Sequence, residues 1–336
     1  MPSWGEVLEE IKEKASDAGP HDTLRREYLS ELADYTERDV ILYSSGWTHL
    51  SKPSADFSMT DGDIQGLMEV IYQLERDDLD LILHTPGGTP SAAEAMVDYL
   101  RKKYEDIRII VPHAAMSAGT MMCCAADEIV MGKHSSLGPI DPQITVPTAT
   151  GRRSVPAQAV LTQFEQAKEE IKENQQNLSH WTPIIRQYGP SLLTECEQAL
   201  SLSEELVLNW AESYMLANES DASRKAAELA SRLSDWEEFK THSRPLSKDT
   251  VEDIGFKVQS LEDDQQLQEL VLSIYHITSH THVHTETAKI IENHAGRAYM
   301  SSLSKDERGG NGGSGSVSHG GLQQPPPGPP QPDDRD

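Results

Sequence analysis

Between residues 39 and 132, four short apolar runs recur: DVILYSSGW (39–47), LDLILH (79–84), IRIIVP (107–112) and DEIVMG (127–132). Runs this short, with little polar alternation, fit strands covered on both faces, as in a parallel sheet. The stretches between them carry helical patterns. TDGDIQGLMEVIYQL (60–74) places apolar residues at 64, 67, 68, 71 and 74, behind a capping threonine with an aspartate three residues on. SAAEAMVDYLRKKY (91–104) reads as a second helix, and SAGTMMCCAA (117–126) as a small-residue, buried one. Strands alternating with helices over short connections are the signature of parallel βαβ units, so the expected class is α/β.

Two of the connections have the same grammar. In HTPGGTPSAAEAM, Gly87 and Gly88 end a strand and open a helix. Their amides are unhindered by side chains and suited to negative charge, whether a phosphate or the oxyanion of acyl transfer. A tight turn explains a glycine pair equally well. In HAAMSAGTMMCC, Ser117 stands where the next strand gives way to a helix. A hydroxyl there lies beside free amides, as an activated nucleophile would, and an N-cap serine needs no chemistry at all. Together the two turns fall at the C-terminal ends of strands of one sheet, the edge along which open α/β sheets bind ligands.

HTPGGTPSAAEAM followed by VPHAAMSAGTMMCCAADEIVMGKHSSLGPIDPQ resembles the serine dehydrogenase proteinase family. That family is a branch of the ClpP/crotonase-fold peptidases related to signal peptide peptidase A. The correspondence is strong over about residues 60–145, and HSRPLSKDTVEDIGFKV and AKIIENHAGRA are also similar to it. The resemblance implies an α/β, ClpP/crotonase-like spiral of βαβ units with a mostly helical C-terminal extension, assembled as a homo-oligomer. It implies a serine peptidase acting on peptides or unfolded protein, with Ser117 as nucleophile. The amides of Gly88 and Ala118 would form the oxyanion hole, and Gly87 would shape the approach of substrate.

The general base is less determined. Where ClpP carries a histidine, the matching GPIDPQ offers Asp141, and His134 lies nearby in a loop. Relatives of signal peptide peptidase A use a lysine in the downstream helical segment. By that analogy Lys168 is the base, with Lys172 one turn on as the alternative. Both are flanked by glutamates, which favour the charged form over the deprotonated one a base requires. A histidine of the segment 276–294 could also reach the site through the fold. His276, His280 and His284 have the helical i, i+4 spacing that can hold zinc, yet a polar helix face against the catalytic domain accounts for them without metal. No cofactor is expected: there is no phosphate loop with its Gly-Lys-Ser/Thr, and no pyridoxal or nicotinamide signature.

Charge narrows the partners. The 336 residues carry 55 acidic and 29 basic side chains, a formal charge of −26, which opposes nucleic acids and anionic membranes. It also suits a high-salt cytoplasm. No apolar run reaches the length of a membrane span, and a basic start with an apolar block is missing from the first residues, so a cytoplasmic chain without a membrane span is expected. Cys123, Cys124 and Cys196 read as buried thiols. The expected organisation is an N-terminal helical segment (1–36), a ClpP-like catalytic core (37–150) and a mostly helical region (151–304) that completes the fold and makes oligomer contacts. A disordered Gly/Ser/Pro-rich tail (305–336) would follow. Two other readings stay open: a base-less relative that binds peptides or builds assemblies, and a crotonase-like hydrolase of acyl-CoA thioesters.

Overall fold

The structure is a computed structural model that describes residues 2–14, 19–49, 55–148 and 151–304. The tail expected to be disordered lies outside the described residues. The strands of the first half are β1 (Asp39–Ser45), β2 (Asp78–His84), β3 (Asp106–Val111), β4 (Ala114–Ala115), β5 (Glu128–Met131) and β6 (Ser136–Leu137). A hairpin follows, β7 (Gln143–Thr148) and β8 (Gly151–Pro156). The last strands are β9 (Leu246–Ser247), β10 (Val258–Ser260), β11 (Thr287–Asn293) and β12 (Ala298–Ser302).

The central sheet has seven strands in the order β10-β5-β3-β2-β1-β11-β12. The first five run parallel, and β11 and β12 are added antiparallel at one side. Every residue of β1 is buried, because helices cover both faces. Alternate residues serve the two layers: Ile41 and Tyr43 belong to one apolar cluster, Val40 and Leu42 to the other. The second cluster is closed by α2 (Pro20–Thr36) and the last long helix of the chain, and α1 (Trp4–Glu13) packs beside them through a smaller cluster of Val7, Ile11, Leu24 and Ile277. On the first face lie α3 (Asp63–Ile71), α4 (Pro90–Lys103) and α5 (Ala118–Cys124).

The downstream helices are α6 (Ala157–Glu173), α7 (Leu178–Ile185), α8 (Leu192–Ser213), α9 (Ala222–Ser234), α10 (Trp236–Phe239), α11 (Lys248–Ile254) and α12 (Gln265–His284). The four apolar runs are the parallel strands β1, β2, β3 and β5. Three features depart from the sequence expectation. The stretch GPIDPQITVPTATGRRSVPA (138–157), whose prolines, glycines and threonines suggest a plain connection, contains the β7–β8 hairpin. Within the region 151–304 expected to be mostly helical, the last helix ends at His284 and TAKIIEN is the strand β11. The helix expected from residue 60 starts at Asp63, whose carboxylate takes the Thr60 amide at 2.9 Å.

Candidate active site

Two strand ends build the site by being stitched together. Beyond β2, the Thr85 amide donates to the Ala114 carbonyl, and the Met116 amide donates to the Thr85 carbonyl, both at 3.0 Å. The two glycine-marked turns therefore meet. A Cβ on Gly87 would lie 2.4 Å from the Met116 carbonyl oxygen, 2.8 Å from Ser117 Cβ and 2.9 Å from the Ala118 amide nitrogen. Only glycine fits there, and its φ of +90° also favours glycine.

Ser117 has φ 53° and ψ −117°, a combination L-residues seldom adopt. The turn lifts the side chain out of the strand at the mouth of α5, the geometry of a nucleophile elbow. Although it occupies the N-cap position, its hydroxyl makes no cap hydrogen bond, so capping does not account for the serine. Behind it, Met121, Met122, Cys123 and Cys124 are buried, and burial pushes both thiols well above their ordinary range. These cysteines are inert filler, as expected of apolar surroundings.

A small second sheet, β4-β6-β9, brings in the rest. Its pairs are Ala115 with Leu137 and Leu137 with Leu246. Each strand delivers one polar residue: Ser117 just after β4, Asp141 shortly after β6, and His242 shortly before β9. His242 Nδ1 lies 2.8 Å from Asp141 Oδ1, with Asp141 only 2% exposed and His242 25%. The second carboxylate oxygen accepts from Gln143 Nε2 at 2.8 Å. The loop between β6 and Asp141 is tied to the elbow, since Thr120 Oγ1 donates to the Ala115 carbonyl and accepts the Gly138 amide.

Ser117, Gly87, Gly88 and His242 line one cleft of about 300 Å³, with Met121 and Ile140 among its apolar walls. A larger depression of about 760 Å³ lies elsewhere, lined by Glu6, Tyr28 and Glu31 among others. Among the described residues, no group of three or more His, Cys, Asp or Glu is arranged to hold a metal ion.

The fold thus brings Ser117, Gly87, Gly88 and Ala118 together and does not bring Lys168 with them. Lys168 projects from α6 into solvent, 2.7 Å from both carboxylate oxygens of Glu165, and does not line the cleft. The placement of Lys168 outside the cleft departs from the expectation of it as the base. Lys172 repeats the pattern with Glu169, which raises its pKa through a hydrogen bond and charge. His134 is an exposed loop residue bonded to the Pro112 carbonyl. Of the histidines of α12, His280 and His282 are buried, His276 is partly buried and His284 is exposed, and none of them lines the cleft. Sequence reasoning missed His242, and noticed Asp141 only as a substitute for a histidine. The one available signal was a histidine in the turn-rich KTHSRPLS, 101 positions from its partner.

The model of the ClpP-like SDH-type serine proteinases matches residues 59–284. The chain belongs to that family. Its ClpP-like fold carries the elbow, the glycine turn and the His242–Asp141 pair within the matched stretch. Two uncharacterized proteins of Methanocaldococcus jannaschii are similar to it: MJ1495, 30% identical over 216 residues, and MJ0137, 29% identical over 205. The matches take in 63% and 60% of this chain, and span 63% and 61% of those relatives' lengths. Among solved structures, a mutant of the 1510-N membrane-bound stomatin-specific protease aligns at 16% identity with a TM-score of 0.36, over 63% of this chain and 79% of its own. Among the described residues, no helix is long and apolar enough to cross a membrane.

Proposed function

We propose that this proteinase-family chain hydrolyses peptide bonds through an acyl-enzyme on Ser117, with His242 as general base and Asp141 as the group that orients it. The observation that carries the reading is the three-stranded sheet β4-β6-β9, which aims three separate stretches of chain at one cleft. An ionised carboxylate only accepts hydrogen bonds, so Asp141 holds the proton of His242 on Nδ1 and leaves Nε2 as the acceptor. Nε2 then takes the Ser117 hydroxyl proton as Oγ attacks the carbonyl carbon, and returns it to the leaving amine. The charge that develops on the carbonyl oxygen is met by the amides of Gly88 and Ala118. Among the described residues neither amide donates to another protein group. Gly87, with no side chain, leaves that approach open. Water deacylates the enzyme by the same route in reverse.

The test is the intact mass of the protein after treatment with a serine-reactive fluorophosphonate, with Ser117→Ala beside it. One adduct per chain, absent from the folded alanine variant, is expected. A folded parent that takes no adduct and turns over no peptide would instead favour a peptide-binding protein on the same fold.

A further inference from the structure

Behind the cleft lies a buried ion pair that the peptidase reading does not use. Lys289 Nζ on β11 is 2.6 Å from Asp63 Oδ1 at the start of α3, with side-chain exposures of 8% and 3%. Removing two charges from water is costly, and apolar replacements of such pairs are often no less stable. The pair is better explained by what it grips. Lys289 also donates to the Ser58 carbonyl at 3.0 Å, while Asp63 Oδ2 accepts the Thr60 amide and the Tyr43 hydroxyl, both at 2.9 Å. One charge holds the residue before Met59, and the other holds the residue after it.

Met59 is the backing of the glycine turn. Its amide donates to the Gly87 carbonyl at 2.8 Å, and its carbonyl accepts the Thr89 amide at 3.4 Å. A Cβ on Gly88 would lie 2.1 Å from the Met59 oxygen, so the two backbones touch directly. The Gly87 carbonyl and the Gly88 amide belong to one planar trans peptide unit and point in opposite directions. Fixing that carbonyl on Met59 therefore turns the Gly88 N–H away from Met59, leaving it free for a ligand in the cleft.

We propose that Lys289 and Asp63 are positioning residues: they clamp Ser58–Thr60 and, through Met59, aim the Gly88 amide at the reacting oxygen. This inference rests on the peptidase reading above. It accounts for a buried pair 226 positions apart in sequence joining β11, beside β1, to the start of α3. Loosening the clamp blurs the direction of one oxyanion donor and leaves Ser117 and His242, which it does not touch, in place.

The experiment compares the parent with Lys289→Met, Lys289→Arg and Asp63→Asn, using hydrolysis of p-nitrophenyl butyrate and the rate of fluorophosphonate labelling. Removing one oxyanion donor outright costs roughly a hundredfold to a thousandfold in kcat, so a misaimed donor in Lys289→Met should lower kcat by roughly 10- to 100-fold. KM should stay within about twofold, since only the transition state uses the amide, and Lys289→Arg, which keeps the charge and a donor, should recover part of the loss. Should Lys289→Met fail to fold, the near-isosteric Asp63→Asn carries the same comparison. Folded variants with parental kcat and labelling rate would overturn the clamp alone. Losses that follow KM or thermal unfolding, without rescue by arginine, would overturn it as well. A parent that is not labelled removes the peptidase reading, and the clamp with it.

Discussion

His242 and the histidines on the other side of the sheet occupy opposite environments within one molecule. His242 is a quarter exposed and rests on the buried carboxylate of Asp141. On the α12 side, His49, His84, His113, His276, His280 and His282 are packed among one another and aromatic rings. His84 stacks on His113 with centroids 5.3 Å apart, and His113 Nδ1 meets the Tyr275 hydroxyl at 2.9 Å. Among the described residues none of these six forms an ion pair with a carboxylate. Their polar partners are carbonyls and hydroxyls, as for His282, which meets the Thr287 carbonyl and Ser44. Burial lowers the pKa of all six, with repulsion from neighbouring histidines or Arg25 adding to it; His276 and His282 fall to about 4. A carboxylate partner and an opening to a cleft suit a histidine to gain and lose a proton; dry packing holds it neutral. His84, His280 and His282 are buried and the other three partly buried, and none of the six lines the cleft or rests on a carboxylate as His242 does.

The largest effect should come from breaking the first environment. His242→Gln removes the proton acceptor and should lower ester hydrolysis and fluorophosphonate labelling by about a thousandfold or more, while circular dichroism stays parental. Asp141→Asn keeps the shape but no longer enforces the Nδ1 proton, and a loss of roughly a hundredfold or more is expected. Full activity in a folded His242→Gln protein would sink the assignment of base, whereas His276→Gln should leave activity unchanged.

What the sequence disclosed follows the same division between local pattern and tertiary convergence. Strands buried on both faces leave near-continuous apolar runs, so β1, β2, β3 and β5 were legible, as were the two turns they end in. The hairpin β7–β8 was not, because QITVPT and GRRSVP hold proline, glycine and arginine, and partly face solvent. The strand β11 was hidden because its apolar residues follow a long helix without a break in composition. His242 could not be reached by spacing. It is delivered by strands two residues long, whose pairing exists only once the sheet has formed.

Acid should break the second environment. The unfolded chain binds a proton on His282 near pH 6.5, while the fold refuses it until about pH 4. Between those values the unfolded state holds more protons, so stability falls as pH falls; above pH 6.5 this histidine contributes no slope, and below pH 4 no further loss. At 1.36 kcal/mol per unit, His282 alone should account for roughly 2 to 3 kcal/mol between pH 7.5 and pH 4.5. His282→Gln starts less stable at pH 7.5, because the ring packs against Gly46, whose Cβ position is 2.9 Å from Nδ1. Its urea midpoint should nevertheless fall less on acidification than the parent's. Parallel pH dependences for the two proteins would show that His282 is not held neutral by the fold.

The smallest effect is expected at the lysines that family resemblance singles out. A lysine acts as a base only if it loses its proton near neutral pH, and this requires burial or a neighbouring cation. Lys168 stands outside the cleft: its side chain is 46% exposed and its ammonium meets both oxygens of Glu165. Lys172 is 66% exposed and paired with Glu169. Exposed pairs one helical turn apart contribute little to helix stability, so removing either ammonium should scarcely move the melting temperature. Lys168→Ala, Lys172→Ala and the double variant should therefore keep labelling and ester hydrolysis within about twofold of the parent, with an unchanged pH profile. A thousandfold loss in folded Lys168→Ala would mean that α6 swings its lysine onto Ser117 when the enzyme works, and would move the role of base from His242 to that lysine.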